Sequence, residues 1–237
     1  MALAIDVAIA KTNKYASRDS GDTAEVVERP GGGLSVVVVD GQGSGAAAKT
    51  LSMMLTSKAV SLLKEGVRDG AVARAVHDSL FAFRHGKVSA SFDIVSVDLR
   101  TKTLIATRNA QTPVIVLRRG GVEAIPTTSG PIGLYHFTRP SVDQLPAEAG
   151  LGLVLYTDGV ATAGDRTSGT PFDVAAYLAA TSSTDLGAEE LADRILFEAI
   201  RRDANRPADD LTIVAVVLRQ HAEELLVRRQ SVRMPLP

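Results

Sequence analysis

Near the start of the chain, Leu3, Ile5, Val7 and Ile9 alternate with small or polar residues, the period-two pattern of a strand with one buried face. Ala24 to Glu28 reads as a second strand, with Asp22 in the turn-like stretch Ser17 to Asp22 between them. After Gly31-Gly32-Gly33, the run Leu34 to Val39 shows no alternation and is expected to be covered on both faces. Helical spacing takes over from Ser44 to Glu65, where Ala47, Leu51, Met54, Leu55, Ala59, Leu62 and Leu63 mark one face and Gly66 supplies a stop. Asp69 can cap a second helix that runs through Val72, Val76, Leu80 and Phe83 to Gly86.

Strand patterns then resume at Phe92 to Leu99, Leu104 to Asn109, Val114 to Arg118 and Val122 to Ile125, with turns at Arg100-Thr101-Lys102 and Gly120-Gly121. Connections this short imply an antiparallel meander. Gly152 to Thr157 is another buried strand, helices are expected near Phe172 to Ala180 and Ala188 to Arg202, and Leu211 to Leu218 is the last strand. Two helices in succession argue against a parallel α/β sheet, which returns to a strand after each helix. The expected fold is therefore α+β, a four-layer sandwich of two stacked, mainly antiparallel sheets flanked by helix pairs. The first domain is expected to span 1–219. The remainder, 220–237, forms a tail that starts as an amphipathic helix (Leu225, Leu226) and ends in Arg228, Arg229, Arg233 and two prolines.

The 237 residues, 45% hydrophobic and 22% charged, allow one sizeable core, and a net charge of −1 gives no basic field for nucleic acid or an anionic membrane. With no cysteine there is no disulfide framework and no thiolate metal site. His77, His85, His136 and His221 lack ligand spacing, so any metal must be held by oxygen. The first nine residues have no basic region and carry Asp6 inside their apolar stretch, a poor signal peptide. No segment approaches the ~20 apolar residues of a membrane span, and a cytoplasmic location is expected.

Two apolar runs end in Asp-Gly, at Asp40-Gly41 and Asp158-Gly159, and Asp209-Asp210 stands just before a third. If these strands share one sheet their carboxylates converge, and such a set needs cations to neutralise it. Singly, each Asp-Gly is an ordinary turn or cap. Gly41-Gln42-Gly43-Ser44-Gly45-Ala46 spells a dinucleotide fingerprint, but a second helix follows where a strand bearing an acid should stand, and Asp40 would lie against the pyrophosphate. A P-loop fails for want of Gly-Lys-Ser/Thr. Three glycines within five residues instead suit a loop whose backbone approaches a ligand.

From Ser20-Gly21-Asp22 through Asp40-Gly41-Gln42-Gly43-Ser44-Gly45, Asn109-Ala110, Gly130-Pro131-Ile132-Gly133, Tyr156-Thr157-Asp158-Gly159-Val160 and Asp209-Asp210-Leu211-Thr212, the chain resembles the metal-dependent serine/threonine phosphatases of the PPM family, in their SpoIIE-like bacterial branch. The resemblance implies two divalent cations, Mn²⁺ or Mg²⁺, bridged by Asp40, with the Gly41 carbonyl as a neighbouring ligand. It assigns Asp158 and Asp209 to one ion and Asp22 to the other, directly or through water, with Asp40 and Asp158 central to catalysis. Asp210 is the less favoured of its pair. Arg18 matches the spacing of a phosphate-binding arginine in some relatives, and Asp93 is a further candidate acid.

Where many relatives have Asn-Ala-Gly, this chain has Asn109-Ala110-Gln111, and the sensor or membrane segment that often precedes this domain in relatives is expected to be lacking. A stand-alone enzyme of this kind resembles the stressosome-resetting phosphatases, which implies a phosphorylated STAS-domain protein as partner; nucleic acid and membrane are not expected as partners, given the charge balance and the lack of an apolar span. The alternatives are a degenerate phosphatase fold acting as a non-catalytic binding module and a nucleotide-binding oxidoreductase.

Overall fold

A computed structural model describes residues 2–181, 186–221 and 228–233. The strands are β1 (Ala2–Thr12), β2 (Asp22–Glu28), β3 (Gly33–Gly41), β4 (Ala90–Asp98), β5 (Thr103–Asn109), β6 (Val114–Arg118), β7 (Gly121–Ile125), β8 (Ser141–Pro146), β9 (Gly152–Tyr156) and β10 (Leu211–His221). The helices are α1 (Gly45–Lys64), α2 (Asp69–Arg84), the one-turn α3 (Asp158–Ala161) and α4 (Asp165–Ser168), α5 (Val174–Ala180) and α6 (Ala188–Arg202). One five-stranded sheet has the order β1-β10-β9-β6-β7 and the other β2-β3-β4-β5-β8, every pairing being antiparallel.

Three apolar clusters fill the gaps between four layers. Val36, Val38, Val95 and Val97 of one sheet meet Val116, Leu153, Leu155, Val214 and Val216 of the other in the centre. The outward residues Val37, Val39, Phe92 and Ile94 pack under α1 and α2, and Val154, Ile213, Ala215 and Val217 pack under α5 and α6. Successive valines of β3 thus go to opposite cores, which is why that run shows no alternation. The α+β four-layer sandwich is the fold the periodicity implies.

Several local expectations are corrected. The meander breaks after β5, because Ala110 to Pro113 carries the chain across to β6 in the other sheet, where the Thr112 hydroxyl donates to the Tyr156 carbonyl at 3.0 Å. The edge strand β8 stands in a stretch where no strand was expected. Asp22 opens β2, opposite Asp40, and does not sit in a turn. Arg68 occupies the N-cap of α2, while Asp69 is its first residue and pairs with Arg29 at 3.2 Å. On α1 the buried stripe is Ala48, Leu51, Ser52, Leu55, Thr56, Ala59 and Leu63, and Ala47 and Met54 face solvent. β10 runs on through Gln220 and His221, paired with Leu3 and Ala2, so the tail does not begin as a helix at 220. Leu225 and Leu226 lie outside the described residues.

Candidate metal centre

One end of the sandwich gathers the ends of four strands. β3 delivers Asp40 and Gly41, β2 begins with Asp22, β9 leads into Asp158 at the start of α3, and Asp209 and Asp210 precede β10. In the β2-β3 register Asp22 stands directly opposite Asp40, so both carboxylates project from the same, inner face of their sheet. Facing them, the other sheet presents Thr157 and Thr212, which donate their hydroxyls to Asp22 Oδ2 at 3.0 and 2.6 Å. Asp22 is thereby a polar tie between the two sheets. Its backbone carbonyl accepts the ammonium groups of Lys11 at 2.9 Å and Lys49 at 3.0 Å.

A cavity of about 290 Å³ opens beside this tie, lined by Asp40, Asp158, Asp209 and Asp93 among others. Asp40 is half-buried and Asp158 exposed, while Asp22 is 1% exposed and lies beneath the lining. Arg18 is not among the lining residues, and its backbone carbonyl accepts the Asn13 side-chain amide at 2.9 Å.

Two glycines let these segments close. A Cβ on Gly41 would lie 2.5 Å from the Ala48 carbonyl oxygen of α1, and a Cβ on Gly159 would collide with the Asp210 carbonyl. The two Asp-Gly pairs therefore put a carboxylate and a close backbone approach side by side. Asp210 turns away from the cavity: its Oδ1 accepts the Lys14 N–H at 2.8 Å and its Oδ2 the Gly21 N–H at 2.7 Å. Both oxygens are engaged in holding the loop before Asp22, which leaves Asp209 as the member of the pair that lines the cavity.

The electrostatics follow from this crowding. Burial first, then the charges of Asp22, Asp158 and Asp209 and a hydrogen bond to Asp158, push the Asp40 carboxyl up to about 9. Burial raises Asp22 to about 6, with the hydrogen bonds from Thr212 and Thr157 pulling the other way. Asp158 is raised by burial and by Asp209. Lys11 is lowered by burial and by the neighbouring Lys49.

Among the described residues, no three carboxylate or imidazole groups are drawn together as a ready-made metal cage. The donors fit hard divalent cations nonetheless, because they are all carboxylate or carbonyl oxygens, the ligand type such ions take alongside retained waters. Asp40 adds to that fit, since the charges of Asp22, Asp158 and Asp209 that raise its carboxyl are the excess negative charge a cation would neutralise.

Thr157 and Thr212, which hold Asp22, are not among the sequence-predicted site residues although both lie inside the motifs that carry the family resemblance. Their signal was positional: Thr157 follows β9 and Thr212 is the second residue of β10, both in phase with inward-facing leucine and valine. No described helix is long and apolar enough to cross a membrane.

Stage II sporulation protein E of Priestia megaterium is 22% identical over 220 residues, covering 93% of this chain and 37% of the relative. Its counterpart in Bacillus subtilis is 21% identical over 197 residues, covering 83% and 24%. The chain thus spans well under half the length of either relative. Among solved structures, the PP2C phosphatase domain of Bacillus subtilis SpoIIE with a fragment of its regulatory domain aligns over 93% of this chain and 65% of that one, with 20% identity and a TM-score of 0.79. The RsbU and RsbW domains of a Mycobacterium tuberculosis protein align over 92% and 62%, at 20% identity and a TM-score of 0.77. The catalytic domain of the serine/threonine protein phosphatase PstP, in complex with two manganese ions, aligns over 92% and 100%, at 16% identity and 0.68. A family model described as stage II sporulation protein E (SpoIIE) matches residues 30–219, and the chain belongs to this SpoIIE family, built on the fold of the PP2C phosphatases.

Proposed function

We propose that this chain is a divalent-metal-dependent phosphatase that hydrolyses phosphoserine and phosphothreonine on a bacterial signalling protein. The observation that carries the reading is the convergence of Asp22, Asp40, Asp158 and Asp209, from four separate segments, at one end of the sandwich beside a cavity. Asp40 would serve both ions with the Gly41 carbonyl as a neighbouring ligand, Asp158 and Asp209 would serve one of them, and Asp22 the other directly or through water. When bound, the two cations neutralise phosphate charge and make a water acidic enough to attack phosphorus in line.

The chain's own residues prepare that site. Thr157 and Thr212 fix the Asp22 carboxylate, Asp210 anchors the backbone of the loop leading into it, and Gly41 and Gly159 bring the two Asp-Gly segments into contact with neighbouring backbone. The cavity lies at the lower end of the ~300–1,000 Å³ range of small-molecule pockets, a size suited to a phosphorylated side chain. No histidine or cysteine nucleophile is needed, since water supplies the oxygen.

The phosphatase domain would comprise residues 1–219. Within this reading the substrate is a phosphorylated STAS-domain regulator, a choice supported by the likeness to RsbU and RsbW domains. Retention of all four aspartates weighs against a non-catalytic binding module.

Hydrolysis of p-nitrophenyl phosphate with Mn²⁺, with Mg²⁺ and with EDTA tests the chemistry. Chelation, Asp40→Ala and Asp158→Ala should each lower the rate by at least about 10²-fold, since the metal contributes several kcal/mol to the barrier reduction. Activity untouched by chelation or by both substitutions overturns the mechanism. A phosphorylated STAS-domain protein should show a higher kcat/KM than an unrelated phosphoprotein, and equal values would remove that substrate.

A further inference from the structure

Asp93 is a buried acid lining the cavity that the proposed metal set does not use. In the β3-β4 register Val38 faces Asp93 and Asp40 faces Ser91. Opposite residues share a face and so do residues two apart, which puts Asp93 on the same inner face as Asp40, as its diagonal neighbour about 7–8 Å away. Strand order adds the direction. Asp22 on β2, Asp40 on β3 and Asp93 on β4 form a row across three adjacent strands, with Asp22 and Asp93 on opposite flanks of Asp40.

Resting on the phosphatase reading above, we propose that Asp93 is the general acid of the reaction, donating its proton to the seryl or threonyl oxygen as that oxygen leaves phosphorus. In-line displacement puts the attacking and leaving oxygens on opposite sides of phosphorus. Asp93 stands on the flank of Asp40 away from Asp22, so a phosphorus held over Asp40 with its leaving oxygen on the β4 side presents that oxygen to Asp93. The new bond joins the water oxygen to phosphorus, the ester oxygen–phosphorus bond breaks, and its electron pair takes the Asp93 proton to give the free hydroxyl. The attacking water's proton is lost to solvent, and the Asp93 carboxylate regains one from solvent after inorganic phosphate departs.

The surroundings favour a carboxyl that holds its proton. Arg108 on β5 stands opposite Asp93 in register, but its guanidinium donates to the Ile125 and Pro126 carbonyls, both at 3.0 Å, and to Asp143 at 2.6 Å. Asp93 Oδ1 accepts the Asn109 N–H at 3.1 Å, which leaves Oδ2 to carry the proton. The other charged side chains lining the cavity are Asp40 from β3 and Asp158 and Asp209 from the facing sheet's loops, and none of them is a cation. Burial pushes Asp93 up to about 7 against the pull of Arg108 and the Asn109 N–H.

The test compares Asp93→Asn, which keeps an acceptor for Asn109, with the unsubstituted chain on two substrates in Mn²⁺. A phosphoseryl peptide releases a basic alkoxide that needs a proton, whereas p-nitrophenyl phosphate releases a phenolate that does not. The substitution should lower kcat on the peptide by about 10²-fold, the lower end of general-acid contributions, and by at least about tenfold less on the aryl ester. Equal losses on both substrates, or no loss on the peptide, overturn the proposal. Should the variant fail to fold, carboxyl-carbon NMR titration of the metal-free, unsubstituted chain decides: a proton retained to near neutral pH supports the role, and titration in the ordinary carboxylate range overturns it. Failure of the unsubstituted chain to hydrolyse either substrate with Mn²⁺ is a separate result, which overturns the phosphatase reading and this role with it.

Discussion

Asp209 and Asp210 are neighbours with the same functional group, yet the backbone turns them to different work. Asp209 lines the cavity and accepts the Asp210 N–H at 3.0 Å, while Asp210 satisfies the N–H groups of Lys14 and Gly21 from the far end of the chain. Removing an acceptor from a buried donor costs about 1–3 kcal/mol, so Asp210→Ala should lose about 2–4 kcal/mol in urea unfolding once both N–H groups are stranded. Asp209→Ala should lose less than about 1 kcal/mol, as expected for a half-exposed side chain, while abolishing metal-dependent hydrolysis. Equal stability losses would show that the two acids share the structural load. Thr212 belongs to the same scale. Thr212→Val withdraws the 2.6 Å hydrogen bond from Asp22, which should cost about 1–2 kcal/mol and raise the Asp22 pKa further, because that bond favours the ionised form.

Between elements, the decisive contact is β3 against α1. Gly41→Ala must drive a methyl into the Ala48 carbonyl, and overpacking of this kind costs about 1–3 kcal/mol. Differential scanning calorimetry should show the loss, whereas Gly43→Ala in the same loop meets open space and carries only the strain of its positive φ. The glycine-rich loop was legible in sequence as a close backbone approach, but what it approaches was not. The same division holds elsewhere. β3, β9 and β10 declared themselves through apolar runs, and α1 and α2 through helical spacing, because both faces or one whole stripe of each is buried. β8 did not, because as an edge strand bonded only to β5 it alternates half-buried and exposed residues, with Val142 left 53% exposed. The four-residue helices α3 and α4 are too short to establish a period. Asp22 looked like a turn residue because the groups that place it, Thr157 and Thr212, stand 135 and 190 positions away. The acids themselves were readable from strand-end motifs; the sheet-to-sheet tie that orders them is a property of tertiary contact.

For the molecule as a whole, the raised carboxyls make stability depend on pH and metal together. Asp22, Asp93 and Asp40 stand at about 6, 7 and 9 in the folded chain against an ordinary 3.8, so between about pH 4 and 9 the metal-free folded state binds more protons than the unfolded state. Stability then falls as pH rises, since the slope follows the protons bound by the unfolded minus the folded state. Asp69 and Asp158 shift in the same direction. Asp98 and Glu198 are lowered from 3.8 and 4.5, so the stability they contribute is lost only on the acid side of those values and leaves the window untouched. In EDTA the melting temperature should therefore decline from pH 5 to pH 9. Divalent cations bind the ionised carboxylates and compete with their protons, so the gain from Mn²⁺ should grow across the same range. It should reach about 2.7 kcal/mol at a hundredfold excess over Kd. Asp40→Asn removes the most strongly shifted proton and the proposed bridging ligand at once: the decline in EDTA should flatten, and the Mn²⁺ gain should collapse. A melting temperature that rises with pH in EDTA, or an Asp40→Asn chain that keeps the full metal gain, would mean that the buried charge at this end of the sandwich is neutralised by something other than a cation held at Asp40.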